Sequence, residues 1–367
     1  MKKVLHFVNK MDRAGQETFI MNIYRNIDRG SIQFGFLCAD QVPGEYDDEI
    51  ISLGGSFGYI SLNKHKGKLR HISNFFIMCK TFKKYIGEYD VFHIHTYHAF
   101  DGLLAAVASK IAGYKKVIVH SHSAYADGHF KLHAVAREFL KKMKIIKLAC
   151  SEDAGKWLFD DESFLIIKNG IEVEKFDYNQ QSRVEIRKKM SIDSHDFVVG
   201  HVGRFDDVKN QMFLAQLFSR YQRINSNSKL LLIGEGVNRS KIEQFCMNEG
   251  VMKNVLFTGT QANTYDLYQI MDVFVFPSLY EGLGIAAIEA ETSGLPCVVS
   301  DTVPKEIDIC SSVKYLSLDS PMDVWIEEID KTRDKISKRS GKVDIVRNAG
   351  YDVKTSVEVM QNVYLES

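Results

Sequence analysis

Two glutamates eight positions apart, Glu281 and Glu289, bracket a turn built from Gly282-Leu283-Gly284. At a rise of about 1.5 Å per helical residue their backbones lie roughly 10 Å or more apart, so the carboxyl groups cannot share a proton. A glycosidase needs its two carboxyls about 5 to 9.5 Å apart across one bond. These two instead suit the opposite ends of a long polyhydroxylated ligand, one carboxylate to each hydroxyl cluster. Val273-Phe274-Val275-Phe276 ahead of the turn reads as a strand stopped by Pro277 and Ser278, and a helix follows Gly284. The free N–H groups of that helix start, with its dipole, favour an anion such as a diphosphate. The plainer alternative is that Glu281 merely complements the helix dipole and Glu289 is solvated.

Further motifs decide between these. Phe276-Pro277-Ser278, Glu281-Gly282-Leu283-Gly284, Glu289-Ala290 and Gly294-Leu295-Pro296-Cys297-Val298 together resemble glycosyltransferase family 4, retaining enzymes of the GT-B fold. Gly203-Arg204, Lys209-Asn210, Gly234-Glu235-Gly236, Phe257-Thr258-Gly259 and Asn169-Gly170-Ile171 extend the resemblance over nearly the whole chain. Within the family the chain is most similar to bacterial enzymes of capsule and exopolysaccharide synthesis.

The resemblance implies a role for each matching position. Glu289 would hold ribose hydroxyls, Glu281 would orient the donor sugar, and the backbone at Gly282, Leu283 and Gly284 would meet phosphate or sugar. Arg204 and Lys209, with Gly203, would clamp the diphosphate; without a divalent ion, two cations must offset the charge developing on the leaving group. Gly234, Gly236 and the stretch Thr258, Gly259, Thr260 and Gln261 would line the nucleotide. His120 matches the family's cleft histidine. Gly15 would lie beside the donor, although Ala14 stands where many relatives have a second glycine. The co-substrate implied is a UDP-sugar and the acceptor a lipid-linked saccharide, with no metal, separate cofactor or nucleic acid. Front-face attack assisted by the leaving phosphate and a covalent adduct both remain open. So do a sugar-nucleotide 2-epimerase and a non-catalytic partner of another transferase. A dinucleotide dehydrogenase fits poorly, because no complete G-x-G-x-x-G follows the first strand.

His93, His95 and His98 close one predicted strand, and His120 and His122 the next. A metal site is conceivable there, but no nearby carboxylate completes a ligand pattern, and alternate strand residues share a face by default.

The elements that must position these groups alternate along the chain. Strand-like runs at 4–8, 32–39, 57–61, 91–95, 116–120, 147–149 and 164–167, with helical patterns between several, predict one doubly wound parallel sheet. Runs at 197–202, 229–233, 255–258, 273–276 and 297–300 predict a second. The expectation is therefore an α/β chain of two Rossmann-like domains facing across a cleft: 1–168 on the acceptor side and 169–349 binding the nucleotide sugar. Ligands of such sheets bind at the carboxyl ends of strands. By resemblance, a last helix at about 350–367 crosses back to the first domain.

Composition agrees with two cores: 367 residues with 45% hydrophobic content. The overall charge is zero, but residues 1–168 hold 24 basic and 18 acidic side chains, so an excess of cations sits in the first half. Six scattered cysteines without a C-x2-C pair read as reduced core residues, and no apolar run suggests a signal peptide or membrane span, so a cytosolic protein is expected. Lys64 to Lys84 carries seven basic and no acidic residues. Lys131 to Lys147 reads as one amphipathic helix with Leu132, Val135, Ala136, Phe139, Leu140 and Met143 on a stripe. Peripheral attachment to an anionic membrane face is one reading, and a helix packing that stripe on its own sheet is the other.

Overall fold

The computed structural model describes residues 1–63, 68–123, 130–261 and 263–366. The first three residues of the basic stretch, Lys64, His65 and Lys66, lie outside the described residues. The chain divides into two compact units, Met1–Gly170 with Val353–Ser367, and Ile171–Asp352.

The first unit holds β1 (Lys2–Val8), β2 (Ile32–Cys38), β3 (Ser56–Tyr59), β4 (Val91–Thr96), β5 (Lys116–Ser121), β6 (Ile146–Ala149) and β7 (Leu165–Ile166). All are parallel, in the order β3-β2-β1-β4-β5-β6-β7. The second unit holds β8 (Phe197–Val202), β9 (Ser228–Ile233), β10 (Val255–Phe257), β11 (Val273–Phe276), β12 (Cys297–Ser300) and β13 (Val313–Leu316). These too are parallel, in the order β10-β9-β8-β11-β12-β13. Both sheets reverse their strand order beside their first strand, β1/β4 and β8/β11, and a ligand crevice opens at the carboxyl ends of strands so arranged.

Helices cover both faces, which is why the strands read as near-continuous apolar runs. In the first unit, Val4 and Val8 of β1 pack with helices Gly15–Asn26 and Val353–Leu365, while Leu5 joins Phe82, Phe92 and Ile94 on the other face. Val353, Val357, Met360, Val363 and Tyr364 are buried in that first core, so the last helix belongs to the amino-terminal unit. In the second, Phe274 and Phe276 face helices Thr264–Ile270 and Ile285–Thr292, and Val273 and Val275 face Gln211–Ile224 and Met322–Asp330. The cysteines are all free thiols, four of them buried.

Two sequence expectations differ from the structure. β13 was not anticipated: Val-Lys-Tyr-Leu is four residues long, and on an edge it buries only Leu316. The predicted helix over Lys131–Lys147 ends at Leu140, because the chain must turn into β6 at Ile146. Its apolar residues split: Ala136 and Leu140 are buried beside His133, whereas Val135 (57% exposed) and Phe139 (62%) point away from the core.

The start of β11 is fixed electrostatically. Asp272 is buried, accepts from the Val198 amide at 2.8 Å, and pairs with Arg183 at 2.5 Å and Arg187 at 2.6 Å. Those arginines, with Arg339, also donate to the carbonyls of Tyr268, Gln269, Ile270 and Met271, which end helix Thr264–Ile270. Cations there complement the helix dipole and satisfy its last acceptors, although burial still pulls the Arg339 guanidinium down to about 9. Replacing Asp272 with Asn should leave buried guanidiniums short of a counter-charge and cost about 3–5 kcal/mol. Urea unfolding followed by Trp325 emission in a Trp157→Phe background reports on the second unit; a midpoint shift worth under about 1 kcal/mol would remove the anchoring role.

Candidate functional site

In the second unit the loops after β8 and β11 lie at the order reversal, and hydrogen bonds zip them together. The Leu279 amide donates to Val208 O at 2.7 Å, and Asn210 Nδ2 donates to Pro277 O at 3.1 Å. Asn210 sits in the left-handed region, φ 53°, at the cap of helix Gln211–Ile224, a conformation asparagine tolerates better than most residues. The Lys209 amide donates to Asp206 Oδ1 at 3.0 Å. The loop thereby delivers Lys209 Nζ to Glu281 Oε1, 2.6 Å away, with the ammonium 4.9 Å from the centre of the Phe276 ring. These side chains keep 23% and 9% of their surface exposed. Arg204, on the same loop, is 64% exposed and among the described residues pairs with Asp206 at 3.4 Å.

Backbone, rather than side chain, forms the neighbouring wall. Gly234 has φ 133°, and a Cβ there would sit 2.2 Å from the carbonyl oxygen of Gly203. The Gly234 amide donates to Gly259 O at 3.0 Å and the Phe205 amide to Glu235 O at 2.8 Å. Gly203, Gly234, Gly236 and Gly259 are therefore gathered at adjacent strand ends. Thr258 and Gly259 are partly buried and Thr260 and Gln261 exposed beyond β10, with Gln261 Nε2 donating to Thr258 O at 2.5 Å.

Gly284, at φ 92°, caps helix Ile285–Thr292, and Leu283 beside it is anchored in the core. Glu289 lies on that helix, eight positions beyond Glu281, and no hydrogen bond joins the two glutamates among the described residues. It accepts instead from the Tyr268 hydroxyl at 2.7 Å. Burial pushes its carboxyl up to about 7, against the lowering effect of that bond. Tyr268 is a participant that the sequence did not point to. So is His201, wholly buried under Gly203: its Nδ1 bonds Val275 O, and its Nε2 has no partner among the described residues.

The remaining expected residues lie in the first unit. Gly15 is exposed at the start of helix Gly15–Asn26 with open space around its Cβ position. His120 is 0% exposed within β5, edge-on to Phe19 at 5.2 Å, and neither ring nitrogen has a partner among the described residues. Alternate residues leave a strand on one face, so His122 shares that face. His122, not His120, reaches the strand's carboxyl end, 8% exposed. His93, His95 and His6 complete a layer of five buried imidazoles, with His6 beside His93 and His95 beside His120 in register. His98 instead caps helix Ala99–Ala112. Among the described residues, His6, His93 and His95, then His95, His120 and His122, and the surface group Asp193, His195 and Asp196 have ligand atoms close enough to share an ion.

A further cavity, of about 300 Å³, opens at the carboxyl ends of β1 and β4, lined among others by Asn9, Gln16, His71, Asn74, Thr96 and Asp101.

The family model described as Glycosyltransferase Family 4 matches residues 13–175, and Glycosyl transferases group 1 matches residues 182–331. The chain is 34% identical to glycosyltransferase EpsF of Bacillus subtilis (strain 168), over 99% of this chain and 96% of the relative. It is 22% identical, over 96% and 94%, to the UDP-Gal:alpha-D-GlcNAc-diphosphoundecaprenol alpha-1,3-galactosyltransferase of Escherichia coli. The structure of Anabaena HepE in complex with UDP-glucose superposes with a TM-score of 0.76 at 18% identity, covering 99% of each chain. That likeness extends to the GT-B architecture of two Rossmann-like domains.

The raised Glu289 carboxyl has a stability consequence. A folded-state value near 7 against an unfolded value near 4.5 means that the fold disfavours ionisation. Wild type should lose stability relative to Glu289→Gln as pH rises from about 4.5 to about 7, with a constant difference above that. Thermal unfolding of both proteins across this range is the check; parallel curves would mean that Glu289 titrates normally.

Proposed function

The chain belongs to glycosyltransferase family 4, and we propose that it moves a sugar, with retention of configuration, from a nucleotide-diphosphate sugar to a hydroxyl of a lipid-linked saccharide in capsule or exopolysaccharide synthesis. The observation that carries this reading is the Lys209–Glu281 pair at 2.6 Å: it sets a cation and a carboxylate side by side at the glycine turn before helix Ile285–Thr292. The UDP-glucose complex of HepE and the diphosphoundecaprenol acceptor in the name of the Escherichia coli relative support a UDP-sugar donor and a lipid-linked acceptor.

In this reading Lys209 swings part of its charge from Glu281 to the diphosphate, joined by the exposed Arg204. The two cations stabilise the leaving group, so no metal ion is required for that step. Glu281, relieved of its ion pair, accepts from donor-sugar hydroxyls, and Glu289, held by Tyr268, accepts from ribose. The backbone amides at Gly282, Leu283 and Gly284 face phosphate or sugar, and the Thr258–Gln261 stretch meets the base, with Gly203, Gly234 and Gly236 forming its floor. Gly15 lies beside the donor. His120, with His122 on the same face beside it, is the first-domain histidine of this reading. The bond from the anomeric carbon to phosphate oxygen breaks, and its electron pair leaves with the diphosphate. The acceptor oxygen attacks from the same face and gives its proton to the departing phosphate, producing an α-linkage.

Membrane attachment is part of the proposal. Phe130, Val135 and Phe139 are exposed on helix Phe130–Leu140 beside the exposed cations Lys131 and Lys142, and Ile72 and Phe76 are exposed on helix Lys68–Lys83. An apolar and basic surface of this kind suits an anionic leaflet. No described helix is long and apolar enough to cross a membrane.

With the cognate donor found by screening nucleotide sugars, Lys209→Ala should lower turnover roughly 100- to 1,000-fold. Glu281→Ala should lower it on the order of 10- to 100-fold. Both should unfold at near wild-type temperatures; full turnover in either variant refutes its assigned role. Vesicles containing phosphatidylglycerol should float the protein, and Val135→Ser with Phe139→Ser should weaken flotation several-fold. Equal flotation on neutral vesicles would end the membrane part alone.

A further inference from the structure

The two strands whose loops carry Lys209 and Glu281 part before they end. β8 pairs with β9 along the whole of Phe197–Val202, but with β11 only at Val199 and Gly200, opposite Val273 and Phe274. In a parallel ladder carried one residue further, the Val275 carbonyl would accept from the Val202 amide. That register pair is missing, and the carbonyl accepts from a side chain, His201 Nδ1, at 2.9 Å. Beyond this point the chain segments meet again as loops, through the Leu279 amide to Val208 O and Asn210 Nδ2 to Pro277 O. An imidazole therefore stands where the sheet opens.

The same bond settles the state of the ring. A carbonyl oxygen only accepts, so Nδ1 carries a proton. His201 is 0% exposed, and burial pushes it down to about 4, against the raising effect of the Val275 bond and with a smaller push from the Lys209 ammonium. The ring is neutral near pH 7, and Nε2 is a bare lone pair without a partner among the described residues. A Cβ on Gly203 would lie 3.2 Å from that nitrogen and 3.2 Å from Lys209 Cγ and Cδ, so only the absent side chain of a glycine separates the ring from the lysine stem. The Phe276 ring lies beside both, its centre 5.7 Å from that of His201 and 4.9 Å from Lys209 Nζ. An imidazolium in this place would repel the ammonium, whereas a lone pair does not.

We propose that His201 is a positioning residue for the donor site: its Nδ1–H takes the Val275 carbonyl in place of a backbone amide, spans the gap between the diverging ends of β8 and β11, and so fixes the Gly203–Lys209 loop where the Lys209 ammonium meets Glu281. A buried carbonyl has to be satisfied. A backbone bond there would draw the strand ends together and close the crevice, while the longer side chain satisfies the oxygen and leaves the crevice open. The inference rests on the glycosyltransferase reading only for what Lys209 does once it is placed.

Competitive acetylation of the full-length protein with trace acetic anhydride, read by mass spectrometry, measures how firmly each lysine amine is held and needs no substrate. His201→Leu fills the space but offers no donor, and Lys209 should label about fivefold faster than in wild type as its pairing with Glu281 loosens. Lys229, in the same unit and paired with Asp196 near the amino end of β9, should label as before. His201→Asn, whose Nδ2–H meets the Val275 oxygen, should return Lys209 to within about twofold of wild type. Nitrogen-15 histidine spectra of the wild type should show His201 protonated on Nδ1 and bare on Nε2. Unchanged Lys209 labelling in His201→Leu, equal labelling in His201→Leu and His201→Asn, acceleration of Lys229 together with Lys209, or a proton on Nε2 would overturn the proposal. If His201→Leu does not fold, His201→Gln, which sets its amide at the Nε2 position, replaces it with the same expectation. None of these readings involves sugar transfer: a protein that transfers nothing refutes the function alone, and a Lys209 indifferent to His201 refutes the positioning alone.

Discussion

One carboxylate shared by two guanidiniums, Asp272 with Arg183 and Arg187, sets where β11 begins, and the donor-side loops depend on that origin. Its bond to the Val198 amide ties β11 to β8 at the amino end. The four strand residues that follow have no surface, so the register cannot slip without exposing a fully apolar run. The far ends of the same two strands then deliver Lys209 and Glu281 to one another. An ion pair at the base of the sheet thus governs the placement of an ion pair at its mouth, through rigid β structure rather than contact.

The first unit solves its positioning differently. A parallel sheet would ordinarily fill a buried face with aliphatic side chains, whereas β1, β4 and β5 carry five imidazoles under Phe19 and Tyr364. Flat rings pack as aromatics do, and where they meet edge to edge they add hydrogen bonds that a valine could not. Specificity of orientation is gained while charge is avoided, since burial keeps these rings neutral.

What could be read in the sequence was whatever obeyed a local rule. Gly284 and Asn210 occupy left-handed backbone, so their residue types announce the turns that hold the site. The inner strands of both sheets were legible because burial on two faces makes them uniformly apolar; the edge strands β3 and β7 bury no side chain and were legible only from their aromatic and aliphatic runs, and β13, with Lys314 in its middle, was not. Spacing gave the carboxylates but not their partners. Tyr268 comes to Glu289 from a separate helix, and only packing brings it there. His120 and His122 were indistinguishable as a pair of alternating histidines; the difference is where the strand stops. The split of the helix ending at Leu140 followed from the length of its connection to β6, which periodicity does not measure.

The contact between Gly234 and the Gly203 carbonyl leaves no room for any side chain between adjacent strand ends. At Gly234 and Gly236 the floor of that crevice is consequently made of peptide groups, with Lys209 and Glu235 side chains beside Gly203 and Gly259, and peptide groups look the same whatever amino acids surround them. Such a surface has no rotamers to settle when a guest arrives, and drift at nearby positions cannot repaint it. Diversification of this chain toward new sugars would therefore have to happen around the rim, while the floor stays a fixed die from which each variant is struck.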